Sequence, residues 1–176
     1  NMEPVFLSQE LVEKFYEVFS NKTIWPLFHY FPQNVVYDKD LWEAYKTVNY
    51  LFLDKLLENY DDKDTIWIHD YQLMLLPGLI REKKPDAKIG FFLHIPFPSF
   101  EIFRLLPWRS ELLKGLLGAD LIGFHTFDYA RHFLSASMRL LGLEHNLGQI
   151  IYKDRTVRVD SFPMGIDYNK YALAAN

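Results

Sequence analysis

The stretch TIWIHDYQLMLLPGLIREKKPDAKIGFFLH, residues 65–94, decides the fold of this chain. Its β-branched and aromatic residues predict a short buried strand at Thr65–His69. A helix is predicted at Leu73–Lys83, where Pro77 is tolerated only near a first turn or at a kink. A second strand is predicted at Lys88–His94. A strand, a helix and another strand in succession indicate a parallel sheet covered by helices.

The same alternation continues along the chain as far as a hairpin. The predicted elements are a helix at Ser110–Leu117, a strand at Asp120–His125, a helix at Phe127–Leu141, and hairpin strands at Gln149–Tyr152 and Thr156–Asp160. Gly142 is expected to end the long helix. We therefore predict an α/β fold with a Rossmann-like parallel sheet flanked by helices and right-handed crossovers.

Two helices are predicted ahead of this sheet. The first covers Gln9–Phe19, with Ser8 as a candidate N-cap. The second covers Leu41–Tyr60, and Asp40 and Glu43 have the spacing of a capping box at its start. Apolar residues recur at steps of three or four in both segments, which predicts one buried face on each helix.

Composition excludes several classes of protein. The 176 residues are 49% hydrophobic and 24% charged, as in a globular domain. The net charge of −4 argues against nucleic acid or an anionic membrane as the main partner. No apolar run approaches the roughly 20 residues needed to span a bilayer. The chain has no cysteine, hence no disulfide, and a cytoplasmic location is expected.

Polar residues follow the three predicted parallel strands. They are His69-Asp70, His94 and His125. In open α/β sheets, ligands bind beyond the carboxyl ends of the strands. These positions are therefore the candidate site.

Each candidate has a plainer structural interpretation. Adjacent residues on a strand point to opposite faces, so we prefer Asp70 to His69 as the pocket group, although Asp70 equally suits a helix cap. The residues after His94, Ile-Pro-Phe-Pro, predict either a stiff loop that holds the imidazole or a structural corner. His125 is typical of a satisfied structural residue, and Tyr16 and Trp25 on their own suggest core packing.

No metal site is expected. Three histidines and an aspartate at one sheet edge suit zinc or iron, but they lack the usual ligand spacing and lie on separate loops. The acidic pairs Asp38-x-Asp40 and Asp61-Asp62-x-Asp64 fall at predicted helix ends, where solvated or capping carboxylates are common. Motifs for phosphate loops, dinucleotide binding and serine nucleophiles are absent.

Several stretches together resemble the trehalose-6-phosphate synthase family, in family order and over nearly the whole chain. They are Tyr16…Asn21…Trp25-Pro-Leu-Phe-His-Tyr30, WIHDYQLMLLPGLIR at 67–81, IGFFLHIPFPSFEIFRLLP at 89–107, DLIGFHTFDYARHFL at 120–134 and FPMGID at 162–167. The resemblance implies the N-terminal, acceptor-side half of a GT-B fold. It also implies retaining transfer of glucose from UDP-glucose to glucose-6-phosphate, without a metal or other cofactor.

The resemblance also implies roles for four residues. Tyr16, Trp25 and Asp70 correspond to residues of the glucose-6-phosphate site, and His94 to the residue that contacts the donor glucose. Asp70 and His94 are the expected catalytic residues.

The resemblance is incomplete. Residues 1–165 are expected to form a partial N-terminal Rossmann-like domain, and 166–176 to begin the connection to a C-terminal domain that this chain lacks. The family's glycine-rich loop and phosphate-binding arginine are also absent, so the fragment alone is expected to be inactive. Two alternatives stay open for the parent protein: a non-catalytic sensor of sugar phosphates and another GT-B transferase. A homo-oligomer is compatible with either.

Overall fold

The computed structural model describes residues 2–174, and the predicted α/β architecture is confirmed. One six-stranded sheet has the order β1-β2-β3-β6-β5-β4. The strands are β1 at Thr65–His69, β2 at Lys88–Phe92, β3 at Leu121–Phe124, β4 at His145–Asn146, β5 at Gln149–Tyr152 and β6 at Arg155–Ser161. Strands β1, β2, β3 and β6 are parallel to their neighbours in this group, β5 is antiparallel to β6, and β4 is antiparallel to β5.

The described part of the chain also forms seven helical segments, apart from short 3₁₀ turns. We number them α1 at residues 9–28, α2 at Lys39–Asn59, α3 at Leu76–Lys83, α4 at Phe100–Phe103, α5 at Arg109–Leu116, α6 at Phe127–Leu141 and α7 at Tyr168–Ala174. Helix α6 has the bounds that the sequence predicts, with Thr126 capping its first turn and Gly142 in the left-handed conformation after its last. None of the helices within 2–174 combines the length and apolar character needed to cross a membrane.

Helix α1 differs most from its prediction. It does not end at Phe19 but continues through π-helical turns at Val12–Ile24 into α-helical Trp25–Phe28. Phe19, Ile24 and Phe28 are fully buried, so tertiary packing maintains the extension. A π-helical segment of this length cannot be predicted from local sequence, because such turns are rare and are stabilised by their surroundings.

Smaller corrections concern the ends of elements. Helix α2 begins at Lys39, and its N-cap is Asp38 rather than Asp40, because Asp38 Oδ1 accepts a hydrogen bond from the Asp40 backbone N–H over 2.7 Å. Strand β2 ends at Phe92, so His94 lies two residues beyond it. Helices α4 and α7 were not predicted.

The two faces of the parallel strands differ in burial. Ile66, Ile68 and Ile122 lie in the core on the helix-covered face. On the other face Trp67 is 68% exposed and borders an apolar groove of about 650 Å³ that ends at Phe162 and Met164. The predicted cover of helices is therefore present on one face only. The role predicted for 166–176 stays a prediction; α7 occupies part of this range, and Ala175 and Asn176 lie outside the described residues.

Candidate active site

The candidate site is built at the carboxyl edge of the sheet, where the ends of β1, β2 and β3 are hydrogen-bonded side by side. The backbone N–H of Asp70 donates to Phe92 O over 2.8 Å, and that of Leu93 donates to Gly123 O over 3.0 Å. These backbone hydrogen bonds continue the sheet past the regular strands, and they set the spacing of the side chains at the strand ends. His69, Asp70, His94 and His125 are thereby brought to one edge, as the sequence analysis predicted.

Asp70 ends β1 with an unusual backbone. Its φ of 71° and ψ of 173° lie in a region that is essentially restricted to glycine, so the position is strained. Its Oδ1 accepts hydrogen bonds from the backbone N–H groups of Tyr71, over 3.0 Å, and His94, over 3.2 Å. Its Oδ2 has no hydrogen-bond partner within residues 2–174. Asp70 therefore caps the turn at Tyr71–Leu73, as the structural interpretation predicts, and its role as a pocket group stays a prediction.

His94 lies among other aromatic rings at this edge. Its Nε2 is 2.9 Å from Nδ1 of His69, and its ring lies 4.8 Å from that of Phe92 and 5.5 Å from that of His125, centroid to centroid. Burial lowers the pKa of His94 from its ordinary value of 6.5; Asp70 opposes this shift, whereas His69 and His125 add to it. The imidazole is therefore neutral near pH 7.

The loop after His94 is anchored on both sides. Phe97 is fully buried, and its carbonyl accepts a hydrogen bond from Nδ1 of His132 over 3.0 Å. The backbone N–H of Ser99 donates to the hydroxyl of Tyr30 over 2.8 Å. These contacts and the two prolines fix the path of the chain, in agreement with the stiff loop that the sequence predicts. The anchors His132 and Tyr30 are distant in sequence from this loop, so only the tertiary structure shows their contacts with it.

Tyr16 and Trp25 lie on α1 with their side chains 48% and 41% exposed, so neither is a core residue. Tyr16 is close enough to Tyr71 to contribute, after burial and Asp70, to the raised pKa of the Tyr71 hydroxyl. Trp25 stacks on the ring of His29 at 3.9 Å. Within residues 2–174 no hydrogen bond or ring contact joins Tyr16 or Trp25 directly to Asp70 or His94.

The helix that carries these two aromatic residues is nevertheless attached to the Asp70 turn. The Tyr71 hydroxyl donates to Oδ1 of Asn21 over 2.8 Å. Tyr45 of α2 is fully buried, and its hydroxyl donates to Tyr71 O over 2.8 Å and accepts from the Met74 N–H over 3.0 Å. The helix that carries Tyr16 and Trp25 is thus packed and hydrogen-bonded to the turn that follows Asp70.

The structure adds a contact that the sequence analysis did not predict, between His69 and His94. We preferred Asp70 because adjacent strand residues point to opposite faces. Both residues contact His94, however, because the positive φ of Asp70 turns the chain as the strand ends. The sequence does show two polar residues rather than one at the end of β1. Only the register between β1 and β2 shows that His69 faces His94.

A second cavity of about 560 Å³ lies at the opposite edge of the sheet, between α2, α3, α5 and the hairpin. Its two arginines, Arg81 and Arg155, form ion pairs and hydrogen bonds within the fold. Arg81 and Arg155 both bind Oδ1 of Asp120, at 2.8 and 2.9 Å, and donate to backbone carbonyls as well. Asp120 Oδ2 in turn accepts from the Ile89 N–H over 2.8 Å. Neither arginine of this cavity is therefore free to bind a phosphate group.

The acidic pairs near helix ends serve local structure. Asp61 and Asp64 accept backbone hydrogen bonds within their own turn. Across residues 2–174 no group of three or more histidine, cysteine, aspartate or glutamate side chains is arranged to hold a metal ion.

Comparison with known proteins adds to this geometry. The model of the family described as glycosyltransferase family 20 matches residues 1–176. The chain belongs to glycosyltransferase family 20. It is 52% identical over 168 residues to "Alpha,alpha-trehalose-phosphate synthase [UDP-forming] A" of Dictyostelium discoideum, covering 96% of this chain and 23% of that protein. It is equally identical over 175 residues to the corresponding synthase of Emericella nidulans, covering 97% of this chain and 35% of that protein.

Solved structures of the family share the fold. The N-terminal domain of Candida albicans trehalose-6-phosphate phosphatase is 42% identical, with a TM-score of 0.89 over 100% of this chain and 38% of that one. A trehalose-6-phosphate synthase studied for glycosyltransfer with retention is 37% identical, with a TM-score of 0.88 over 96% of this chain and 39% of that one. The chain thus spans between about a quarter and two fifths of these four proteins.

Proposed function

We propose that the full-length protein containing this chain transfers glucose from UDP-glucose to glucose-6-phosphate with retention, forming trehalose-6-phosphate and UDP. Membership of family 20 and 52% identity to UDP-forming synthases support this activity. The single structural observation that carries it is the contact between Asp70 Oδ1 and the His94 backbone over 3.2 Å. It brings a carboxylate and an imidazole to one edge of the sheet, at the position where such folds bind ligands.

Asp70 and the aromatic residues of α1 form the acceptor side. The free Oδ2 of Asp70 accepts a hydrogen bond from a hydroxyl of glucose-6-phosphate, and a charged acceptor fixes the direction of that bond. Tyr16 and Trp25 wall the acceptor pocket. Holding the acceptor hydroxyl in a reactive orientation removes much of the entropic barrier to transfer.

His94 contacts the donor sugar as a neutral imidazole. The leaving phosphate takes the proton of the acceptor hydroxyl on the same face of the ring, so no residue of this chain acts as a covalent nucleophile. Groups outside this chain, in the C-terminal domain of the parent, stabilise the charge on the leaving phosphate. We propose that no metal or cofactor takes part. Turnover that is unchanged by a chelator supports this, and loss of turnover that added Mg²⁺ restores contradicts it.

The remaining proposals concern the protein as a whole. Residues 1–176 alone are inactive because half of the cleft is missing, and transfer measured with this chain alone contradicts the half-cleft argument. The parent is cytoplasmic, and its activity is compatible with a homo-oligomer. Cell fractionation and light scattering test these two statements.

A non-catalytic sensor of sugar phosphates is the second candidate. One observation favours it: a domain 42% identical to this chain occurs in a protein named as a phosphatase rather than a synthase. A sensor binds glucose-6-phosphate with no turnover. A transferase with another donor or acceptor is distinguished from the proposed synthase by assaying several nucleotide sugars against several acceptors.

The deciding experiment measures UDP release by the full-length protein and by its Asp70→Asn variant. Asparagine keeps the size of the side chain and an oxygen for the two backbone hydrogen bonds, but removes the charge. We expect turnover by the wild type and a loss of about 100-fold or more in the variant, equivalent to about 2.7 kcal/mol of transition-state stabilisation. Near-normal turnover by Asp70→Asn contradicts the proposal, and binding without turnover by the wild type indicates the sensor.

A further inference from the structure

Two histidines from neighbouring strand ends are joined side chain to side chain. His69 is the last residue of β1, and His94 follows β2 by two residues. Nδ1 of His69 lies 2.9 Å from Nε2 of His94, and the two rings are stacked with centroids 5.2 Å apart and planes 28° apart. The distance is that of a direct hydrogen bond between imidazoles.

Such a bond restricts the protons of both rings. One nitrogen has to carry a proton and the other a lone pair, so the pair holds at most one positive charge while the bond lasts. Nε2 of His94 is occupied by this contact, which leaves Nδ1 as its other ring nitrogen. Nδ1 of His94 has no hydrogen-bond partner among the described residues, and it is therefore available to a ligand.

Packing holds the pair in this arrangement. The ring of Trp67 lies 5.0 Å from that of His69, and Phe92 and His125 flank His94. The next residue, Asp70, accepts from the backbone N–H of His94. The dipeptide His69-Asp70 therefore fixes His94 twice, His69 at its ring and Asp70 at its backbone.

We propose that His69 is a positioning residue, whose hydrogen bond to Nε2 of His94 sets the orientation and protonation of that ring and directs Nδ1 toward a hydroxyl of the donor sugar. The inference rests on the proposed function, in which His94 contacts the donor. His69 acts through His94 and does not itself touch the sugar. Loss of His69 is therefore expected to affect use of the donor and not that of the acceptor.

Two variants of the full-length protein separate hydrogen bonding from packing. His69→Phe keeps an aromatic ring between Trp67 and His94 but has no nitrogen. His69→Asn has an amide that can take the place of Nδ1 as donor or acceptor. His145→Phe, at an exposed position on β4, is the matched control.

The kinetic expectation follows from one lost hydrogen bond. His69→Phe lowers kcat/KM for UDP-glucose by about tenfold or more, equivalent to about 1.4 kcal/mol, and leaves KM for glucose-6-phosphate unchanged. His69→Asn restores most of this loss, and His145→Phe matches the wild type. Equal activity of His69→Phe and wild type overturns the proposal, as does an equal loss in His69→Phe and His69→Asn.

A chemical measurement keeps the inference testable if the full-length protein has no transferase activity. Diethyl pyrocarbonate modifies unprotonated imidazole nitrogens, and peptide mapping gives a rate for each histidine. We expect His94 to react more slowly in the wild type and His69→Asn than in His69→Phe, with His145 as the internal reference. If the wild type shows this pattern of modification rates but no turnover, the proposed function is refuted and the positioning role of His69 is not. Equal rates at His94 in all proteins refute the positioning role.

Discussion

The carboxylate of Asp70 holds the backbone of His94: Oδ1 accepts from the His94 N–H over 3.2 Å. The bond joins the end of β1 to the loop after β2, across two strands that are paired in register up to His69 and Phe92. Asp70 has a positive φ in the conformation that makes this hydrogen bond. The account of this site depends on that relationship, because it turns two separate strand ends into one edge with a carboxylate and an imidazole.

Glycine and alanine at position 70 are expected to differ in stability. Both remove the hydrogen bonds to Tyr71 and His94, but only glycine adopts a φ of 71° and ψ of 173° without strain. Asp70→Gly should therefore be more stable than Asp70→Ala by about 1–2 kcal/mol, and both should be inactive. Denaturant titration of the full-length protein measures the free energies of unfolding. Equal values, or a more stable alanine variant, contradict the idea that strain is retained here for function.

The acid limb of the activity profile should lie below pH 6.5. Burial, with His69 and His125, holds the pKa of His94 below its ordinary value of 6.5, so the ring gains a proton only at a lower pH. Because neutral His94 contacts the donor in the proposed mechanism, kcat/KM for UDP-glucose should be retained above pH 6.5 and should fall as the pH is lowered through the pKa of this ring. A fall that begins clearly above pH 6.5 indicates that neutral His94 is not what the reaction requires.

Tyr71→Phe tests the attachment of α1 to the site. The substitution removes the bond from the Tyr71 hydroxyl to Asn21 while keeping the ring. It should cost about 1 kcal/mol of stability and raise KM for glucose-6-phosphate, since Tyr16 and Trp25 are carried on the same helical segment. Steady-state kinetics with each substrate varied give the answer. A rise in KM for UDP-glucose alone contradicts the assignment of α1 to the acceptor side.

Gly118→Ala should destabilise the domain without altering the chemistry. A Cβ at this position would meet Pro77 O and Gly78 N at 2.4 Å, so α3 and the end of α5 would have to separate. Overpacking of this kind costs about 1–3 kcal/mol. Gly165→Ala is the matched control, because nothing lies within 4 Å of the added methyl group. Thermal unfolding that is the same for both variants refutes this description of the helix contact.

Local signals were sufficient for much of the fold. Strand β1 and helix α6 have the predicted bounds, because one is a compact β-branched segment and the other has a threonine cap and a glycine stop. The π-helical turns of α1 and the open face around Trp67 were not predictable, since both depend on what packs against them. The same holds for the site. The positions of the strand ends in the sequence identified Asp70 and His94 as candidates. The contact between His69 and His94 could not be predicted, because it depends on the register between β1 and β2.

The most direct test is a crystal structure of the full-length protein with glucose-6-phosphate and a non-hydrolysable UDP-glucose analogue. The measured quantities are two distances, from Asp70 Oδ2 and from His94 Nδ1 to the nearest sugar hydroxyls. We predict that both are at most about 3.2 Å, with Asp70 on the acceptor and His94 on the donor. Sugars bound away from this edge, or hydroxyls beyond hydrogen-bonding distance of both side chains, would contradict the account.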